Sequence, residues 1–188
     1  MLSGPAQEAL IGWKAHGPRI ITATFKTKKR NIKMNVIQCY SPTNDSDKED
    51  KEQFHNQLQN ILEGYAEKDV TLLIGDFYAK TGTDNTVYEE VMGTHGLGEM
   101  NDNGERFLET YVMNNQVIGA SLFTHKVTWV SPDYVTENQI DHLCISKRFR
   151  RSLQDVKVWR GADVASDHHL LIAKLELQLK LKKNWIYL

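Results

Sequence analysis

The chain has 188 residues, 40% of them apolar and 25% charged, with a net charge of −1 at pH 7. That length suits one domain with a sizeable core, and the near-neutral balance excludes a global field drawing the molecule to nucleic acid or anionic membrane. No apolar run approaches a membrane span, and residues 1–12 lack the basic and apolar regions of a signal peptide. The expectation is a nuclear or cytoplasmic protein, not a secreted or membrane one.

Pro5–Trp13 reads as a short helix, with Pro5 where a missing N–H costs nothing. Arg19–Thr27, dense in β-branched and aromatic residues, reads as a strand; Lys28–Asn31 turns the chain and Ile32–Tyr40 returns antiparallel. Ser46 with Glu49 three residues on predicts a capping box, then a helix to about Ala66 with Phe54, Leu58, Ile61, Leu62 and Tyr65 inward. Val70–Ile74 is a continuous apolar run, short enough for a strand buried on both faces. Tyr78–Asp102 has no periodicity, and loops this long are commonly functional. A helix over about 103–115 follows, with Phe107, Leu108, Tyr111 and Val112 inward. Strands are expected near Gln116–Ala120, Val127–Val130, Gln139–Ser146 and Gln154–Trp159. In the last strand Ala173, Leu175, Leu177, Leu179 and Leu181 alternate with polar residues, giving one buried face. The order predicts an α/β sandwich, two β-sheets flanked by helices, in a single domain over 1–188 with a basic tail from about 180.

Polar residues interrupt these strands at three places. Asp76 leaves the run Leu72–Gly75, Asp141 stands inside Gln139–Leu143, and Asp167, His168 and His169 precede the last strand. Each has a plain reading, as a turn, a cap or a satisfied loop. Together they suit a hard cation such as Mg²⁺ with acid/base groups beside it, because a carboxylate in a strand core needs a partner or a metal. Zinc fits less well, since Cys39 and Cys144 lie in apolar runs and the histidines lack zinc-site spacing. Two basic clusters, one of Lys26, Lys28, Lys29, Arg30 and Lys33 and one of Lys147, Arg148, Arg150 and Arg151, are either solvated surface or places to meet phosphate.

Four motifs, in order, carry a resemblance: Gln38-Cys39-Tyr40-Ser41-Pro42-Thr43-Asn44, Gly75-Asp76-Phe77-Tyr78-Ala79-Lys80, Gln139-Ile140-Asp141-His142 and Ser166-Asp167-His168. The set resembles the endonuclease/exonuclease/phosphatase superfamily, and within it the apurinic-endonuclease-like nucleases of non-LTR retrotransposons. Residues 90–106 and 147–169 look closest to the craniofacial development protein 2-like group. The resemblance implies a DNase I-like fold and Mg²⁺- or Mn²⁺-dependent hydrolysis of DNA phosphodiesters. It implies that Asp76 activates water, that His168 meets the phosphate, that Asp141 orients His168, that Asp167 lies near the metal, and that Tyr40 stands beside the phosphate. Asn44, Tyr78, Asn103 and Trp129 fall where relatives contact phosphate or DNA; for Trp129 a core role is an equal alternative.

Two departures set further expectations. The family's Gly-Asp-Phe-Asn pattern has Tyr78 in place of its asparagine, replacing a short amide with a bulky phenol. The family's first strands also carry an asparagine and a glutamate metal ligand that have no counterpart here, Glu8 being the one acid before Asp45. The resemblance therefore implies a weakly bound metal, weak and salt-sensitive DNA binding, and a poor nuclease. The alternative is a catalytically inactive remnant that binds nucleic acid or protein.

Overall fold

The structure, a computed structural model, describes residues 2–124, 127–160 and 166–177. The chain opens with α1 (Gly4–Ala9), which has proline in its first turn, and passes directly into β1 (Leu10–His16). The helix expected over 5–13 thus stops at Ala9. A single turn and a half is marginal alone, and Leu10–His16 instead pairs antiparallel with β2 (Ile20–Lys26). β2 turns into β3 (Lys33–Tyr40), and the expected hairpin forms in register from Ile20↔Cys39 to Lys26↔Lys33.

α2 (Lys48–Glu63) then crosses over to β4 (Val70–Asp76), which lies parallel to β3. Asp47, not Ser46, is the N-cap, and no side chain caps the helix; the Ser46 hydroxyl is taken up by Thr43 at 3.1 Å. After the long loop come α3 (Asp102–Met113) and β5 (Gln116–Ile118). The strand expected to Ala120 ends at Ile118, and Gly119–Leu122 tightens into a 3-10 turn. Val112, expected inward on α3, is 49% exposed, because Phe107, Leu108 and Tyr111 already fill the stripe that faces the sheet.

β6 (Trp129–Val130) and β7 (Glu137–Asn138) form a small ribbon; β7 has too few residues to show in a pattern. β8 (Asp141–Ser146) completes a six-stranded sheet ordered β1-β2-β3-β4-β8-β5. β9 (Leu153–Trp159) and β10 (Leu170–Leu175) pair antiparallel as a separate layer. Leu179, Leu181 and the expected basic tail lie outside the described residues.

The period of two along the central strands builds two cores. Ile37, Cys39, Leu73 and Cys144 pack with Phe54 and Leu58 of α2 and with Phe107, Leu108 and Tyr111 of α3. Val70, Leu72, Ile74, Leu143 and Ile145 pack on the other face with Val156 of β9 and with Leu171, Ala173 and Leu175 of β10. The sandwich is therefore the expected one, and both cysteines are buried and free within it.

Gly75 must be glycine. A Cβ on Gly75, at φ +153°, would lie 2.0 Å from the Cys39 carbonyl oxygen across the β3–β4 pairing. Gly75→Ala is expected to cost on the order of 3–4 kcal/mol, measured as a fall in urea midpoint. Unchanged stability would mean that the two strands part freely at this point.

Candidate active site

Register alone brings the first three residues together. Tyr40 is the β3 partner of Asp76, and Asp76 is the β4 partner of Asp141 on β8. They stand abreast at one end of the sheet, on its central strands. His168 arrives from the chain before β10, held by a bridge to Trp129. One ligand atom from each of Asp76, Asp141 and His168 lies within 4.8 Å of the others.

The hydrogen bonds within this group are directional. His168 Nδ1 is 2.9 Å from Asp141 Oδ2, which fixes the ring and leaves Nε2 toward Asp76, at 4.0 Å from its Oδ2. An oxygen about 2.8 Å from each of these atoms fits between them. Asp76 Oδ1 accepts the Tyr78 backbone N–H at 3.0 Å. Burial pushes Asp76 up to about 6, with the neighbouring Asp141 charge adding to the rise and the Tyr78 N–H opposing it. Burial alone would lower His168, but the hydrogen bond and charge of Asp141 outweigh it and leave its pKa raised. The cluster thus pairs a reluctant carboxylate with a readily charged imidazole.

These protonation preferences predict how stability depends on pH in chelator. Asp76 takes up its proton more readily folded than unfolded, so its contribution falls as pH rises from about 4 to about 6. A carboxyl whose pKa rises that far on folding contributes at most about 3 kcal/mol. His168, raised when folded, contributes stability below its unfolded pKa that is lost as pH rises through the folded one. Both act in the same direction. The melting temperature should therefore decline from pH 4 toward pH 8, and Asp76→Asn should flatten the acid half of that slope. A midpoint that rises with pH, unaltered by Asp76→Asn, is the contrary result.

Tyr78 stands at φ +47°, a left-handed conformation uncommon for a bulky residue. Its carbonyl accepts the Asn101 amide at 2.9 Å, and Asn101 also accepts the Lys80 and Gly104 backbone N–H groups as it caps α3. Its phenol is 3.0 Å from the Tyr40 hydroxyl, and the two rings meet edge to face at 5.9 Å. That hydrogen bond, then burial and the Asp76 charge, raise the Tyr78 pKa. Two phenols therefore close over the carboxylate at the strand ends.

The other expected positions divide. Asp167 is not in the cluster: its carboxylate accepts the Trp129 indole N–H at 2.8 Å, a bond that holds its pKa down. It lines a neighbouring cavity of about 630 Å³ with His168, His169, Trp159 and Tyr134. Asn103 is 2% exposed and donates its amide to the Pro42 carbonyl at 3.0 Å. It is a tie between α3 and the loop after β3, where a phosphate or DNA contact was expected. Asn44 is exposed, but its side-chain oxygen accepts the Asn103 N–H at 3.4 Å. Trp129 is half-buried, its indole committed to Asp167.

Three supports escaped the sequence reading. Thr128, fully buried, accepts the Ile140 and Asp141 backbone N–H groups and so sets where β8 begins. Arg19 donates to the Tyr40 and Ser41 carbonyls and lies 5.7 Å from the Tyr40 ring centre. Asn101 was detectable, since it precedes the acidic first turn formed by Asp102 and Glu105. The other two carry no local signature.

The donors present fit a hard divalent cation. Tyr78 engages one Asp76 oxygen and His168 one Asp141 oxygen, which leaves one oxygen of each carboxylate, the minimal protein share of a Mg²⁺ site. Among the described residues no further acid joins the group.

Comparison with known proteins bears on the fold. No family model matches the chain. It is 37% identical over 179 residues to craniofacial development protein 2 of Bos taurus and to that of Tragulus javanicus, with 93% of this chain aligned. It spans about 30% of the length of those relatives. The endonuclease domain of TRAS1, a telomere-specific non-LTR retrotransposon, superposes with a TM-score of 0.63 at 16% identity, covering 86% of this chain and 63% of that one. The Neisseria 3′ phosphatase NExo bound to product DNA hairpin superposes at 0.66 and 18% identity, covering 89% and 71%. An endonuclease/exonuclease/phosphatase family protein from Leptotrichia buccalis superposes at 0.55 and 16%, covering 84% and 53%. The chain thus shares the fold of these nuclease and phosphatase structures, and over most of its length it is similar in sequence to part of craniofacial development protein 2.

Proposed function

We propose that residues 1–188 form a single domain of retrotransposon ancestry that hydrolyses DNA phosphodiesters with a divalent cation, and does so poorly. The observation that carries this reading is the Asp141–His168–Asp76 arrangement, with the imidazole fixed on one side and facing a carboxylate across 4.0 Å on the other. Phosphoryl transfer asks for positioned water and charge neutralisation more than for covalent chemistry.

Asp76, whose pKa is raised by burial, accepts the proton of the attacking water. His168, charged and held by Asp141, donates its Nε2–H to a phosphate oxygen as charge develops there. Tyr40 offers its phenol beside the same phosphate. Asp76 and Asp141 would hold Mg²⁺ or Mn²⁺, which when bound would supply Lewis-acid neutralisation of the phosphate. With two carboxylates among the described residues the cation would bind weakly, and the Tyr78 phenol occupies the space a phosphate needs.

That phenol also favours a second reading, a remnant whose cleft no longer works and which binds nucleic acid or protein instead. Nicking of supercoiled plasmid with and without Mg²⁺ separates the two. Metal-dependent nicking supports the enzyme, and none at any metal concentration supports the remnant. DNA binding in either case should be weak and should fall steeply with salt, as backbone contact dictates. Tight binding indifferent to salt would remove electrostatic contact as its main source.

A further inference from the structure

The basic clusters do not serve the cleft. β3 runs from Lys33 to Tyr40 and β8 from Asp141 to Ser146, so the site lies at one end of the sheet and both clusters lie at the other. The β2–β3 turn carries Lys26, Lys28, Lys29, Arg30 and Lys33, and the 3-10 turn after β8, Lys147–Ser152, carries Lys147, Arg148, Arg150 and Arg151. All but Lys147 are exposed. β3 and β8 flank β4, so the two clusters start two strands apart, about 10 Å at the usual strand spacing.

These charges are largely unneutralised. Lys147 pairs with Glu90 at 2.7 Å, but among the described residues none of the other eight is within an ion pair of a carboxylate. Lys68, exposed just before β4, adds a ninth between them. The acids at this end include Glu90, which holds Lys147, and Glu63, Glu67 and Asp69, which line a cavity of about 480 Å³ beside Lys147 and Arg148. Asp69 is buried and accepts the Lys33 backbone N–H. A chain of net charge −1 thus concentrates its cations at the pole away from Asp76, Asp141 and Asp167.

We propose that this pole, opposite the cleft, is a second nucleic-acid surface that grips the phosphodiester backbone through the β2–β3 turn and the turn after β8. A span of about 10 Å reaches about three phosphates along one strand at ~3.4 Å each, and groups on both turns widen the contact. The pole does not depend on a functioning cleft. A working cleft would act on DNA tethered from behind, and a silent cleft would leave the pole as the binding site.

The test measures anisotropy of a fluorescent 20-base-pair duplex DNA in EDTA, over a salt series, using the full chain carrying Asp76→Asn to prevent cleavage. Two surface variants are added, Lys28→Ala/Lys29→Ala/Arg30→Ala and Arg148→Ala/Arg150→Ala/Arg151→Ala, with melting curves to confirm folding. Each should weaken binding at least tenfold and reduce the slope of log K against log salt by about 2–3. In the Asp76-containing chain, the same variants should leave Mg²⁺-dependent hydrolysis of bis(p-nitrophenyl) phosphate unchanged, a readout that judges the cleft separately. Binding unaffected by either variant, or absent in the parent at low salt, overturns the proposal. So does stronger, variant-sensitive binding to vesicles containing phosphatidylserine than to DNA, which would reassign the pole to membrane.

Discussion

Replacing Tyr78 with asparagine is expected to raise Mg²⁺-dependent nicking of supercoiled plasmid at least about tenfold. The change removes a phenol that stands 3.0 Å from the Tyr40 hydroxyl and interacts with the Asp76 carboxylate. It frees both groups to face a phosphate and supplies a short amide donor in the same place. One preorganised donor is associated with about 10²–10³ in rate, so tenfold is a modest share of it. Asparagine also tolerates the left-handed backbone better than tyrosine, so the variant should be no less stable. Tyr78→Phe separates bulk from hydrogen bonding: it keeps the ring, so it should stay near the parent. If phenylalanine restored activity as well as asparagine does, the hydroxyl contact rather than the bulk would be the obstacle. No gain from asparagine would mean the phenol does not limit the site.

In the Tyr78→Asn background, Asp76→Ala and His168→Ala should each remove nicking by at least about 10²-fold, the usual worth of a positioned acid or base. The double variant should cost little more than either single one, because both act on one transition state. Asp141→Asn is the more discriminating change. It keeps the shape but loses the charge that holds His168 protonated, so the alkaline limb of the pH–rate profile should move to lower pH while metal-free folding persists. Activity that survives Asp76→Ala would place the chemistry elsewhere.

Much of the fold was legible because it depends on local periodicity. The stripe of α2, the apolar run of β4 and the alternation of Ala173 and Leu175 each follow from burying one face, and the structure uses all three. What misled was competition. Leu10–Trp13 has helical neighbours but finds a strand partner, and no local pattern reports on a partner ten to fifteen residues away. Asp76, Asp141 and His168 were visible as polar interruptions of apolar strands. Their mutual placement was expected from the resemblance and from no local pattern, since it follows from the register of β4 against β8 and from the bridge between Trp129 and His168. Asp167 and Asn103 show the limit of motif transfer. Each was expected at the site, yet one Asp167 oxygen accepts the Trp129 indole N–H and the Asn103 amide donates to the Pro42 carbonyl.

Placing the site on three adjacent central strands also sets how it can come apart. The Ser41 N–H donates to the Asp76 carbonyl and the Phe77 N–H to the Ile140 carbonyl, continuing the ladders that join β3, β4 and β8. Breaking those bonds means peeling apart the middle of the sheet between its two cores. In native-state hydrogen exchange, amides from Gln38 to Ser41 and from Ile74 to Phe77 should therefore exchange among the slowest, by global unfolding alone. Amides of the exposed Tyr134–Val135 turn should exchange orders of magnitude faster. The floor of the proposed site is thus as rigid as the molecule, and any motion that would admit a ligand belongs to the side chains above it and to the loops at its rim.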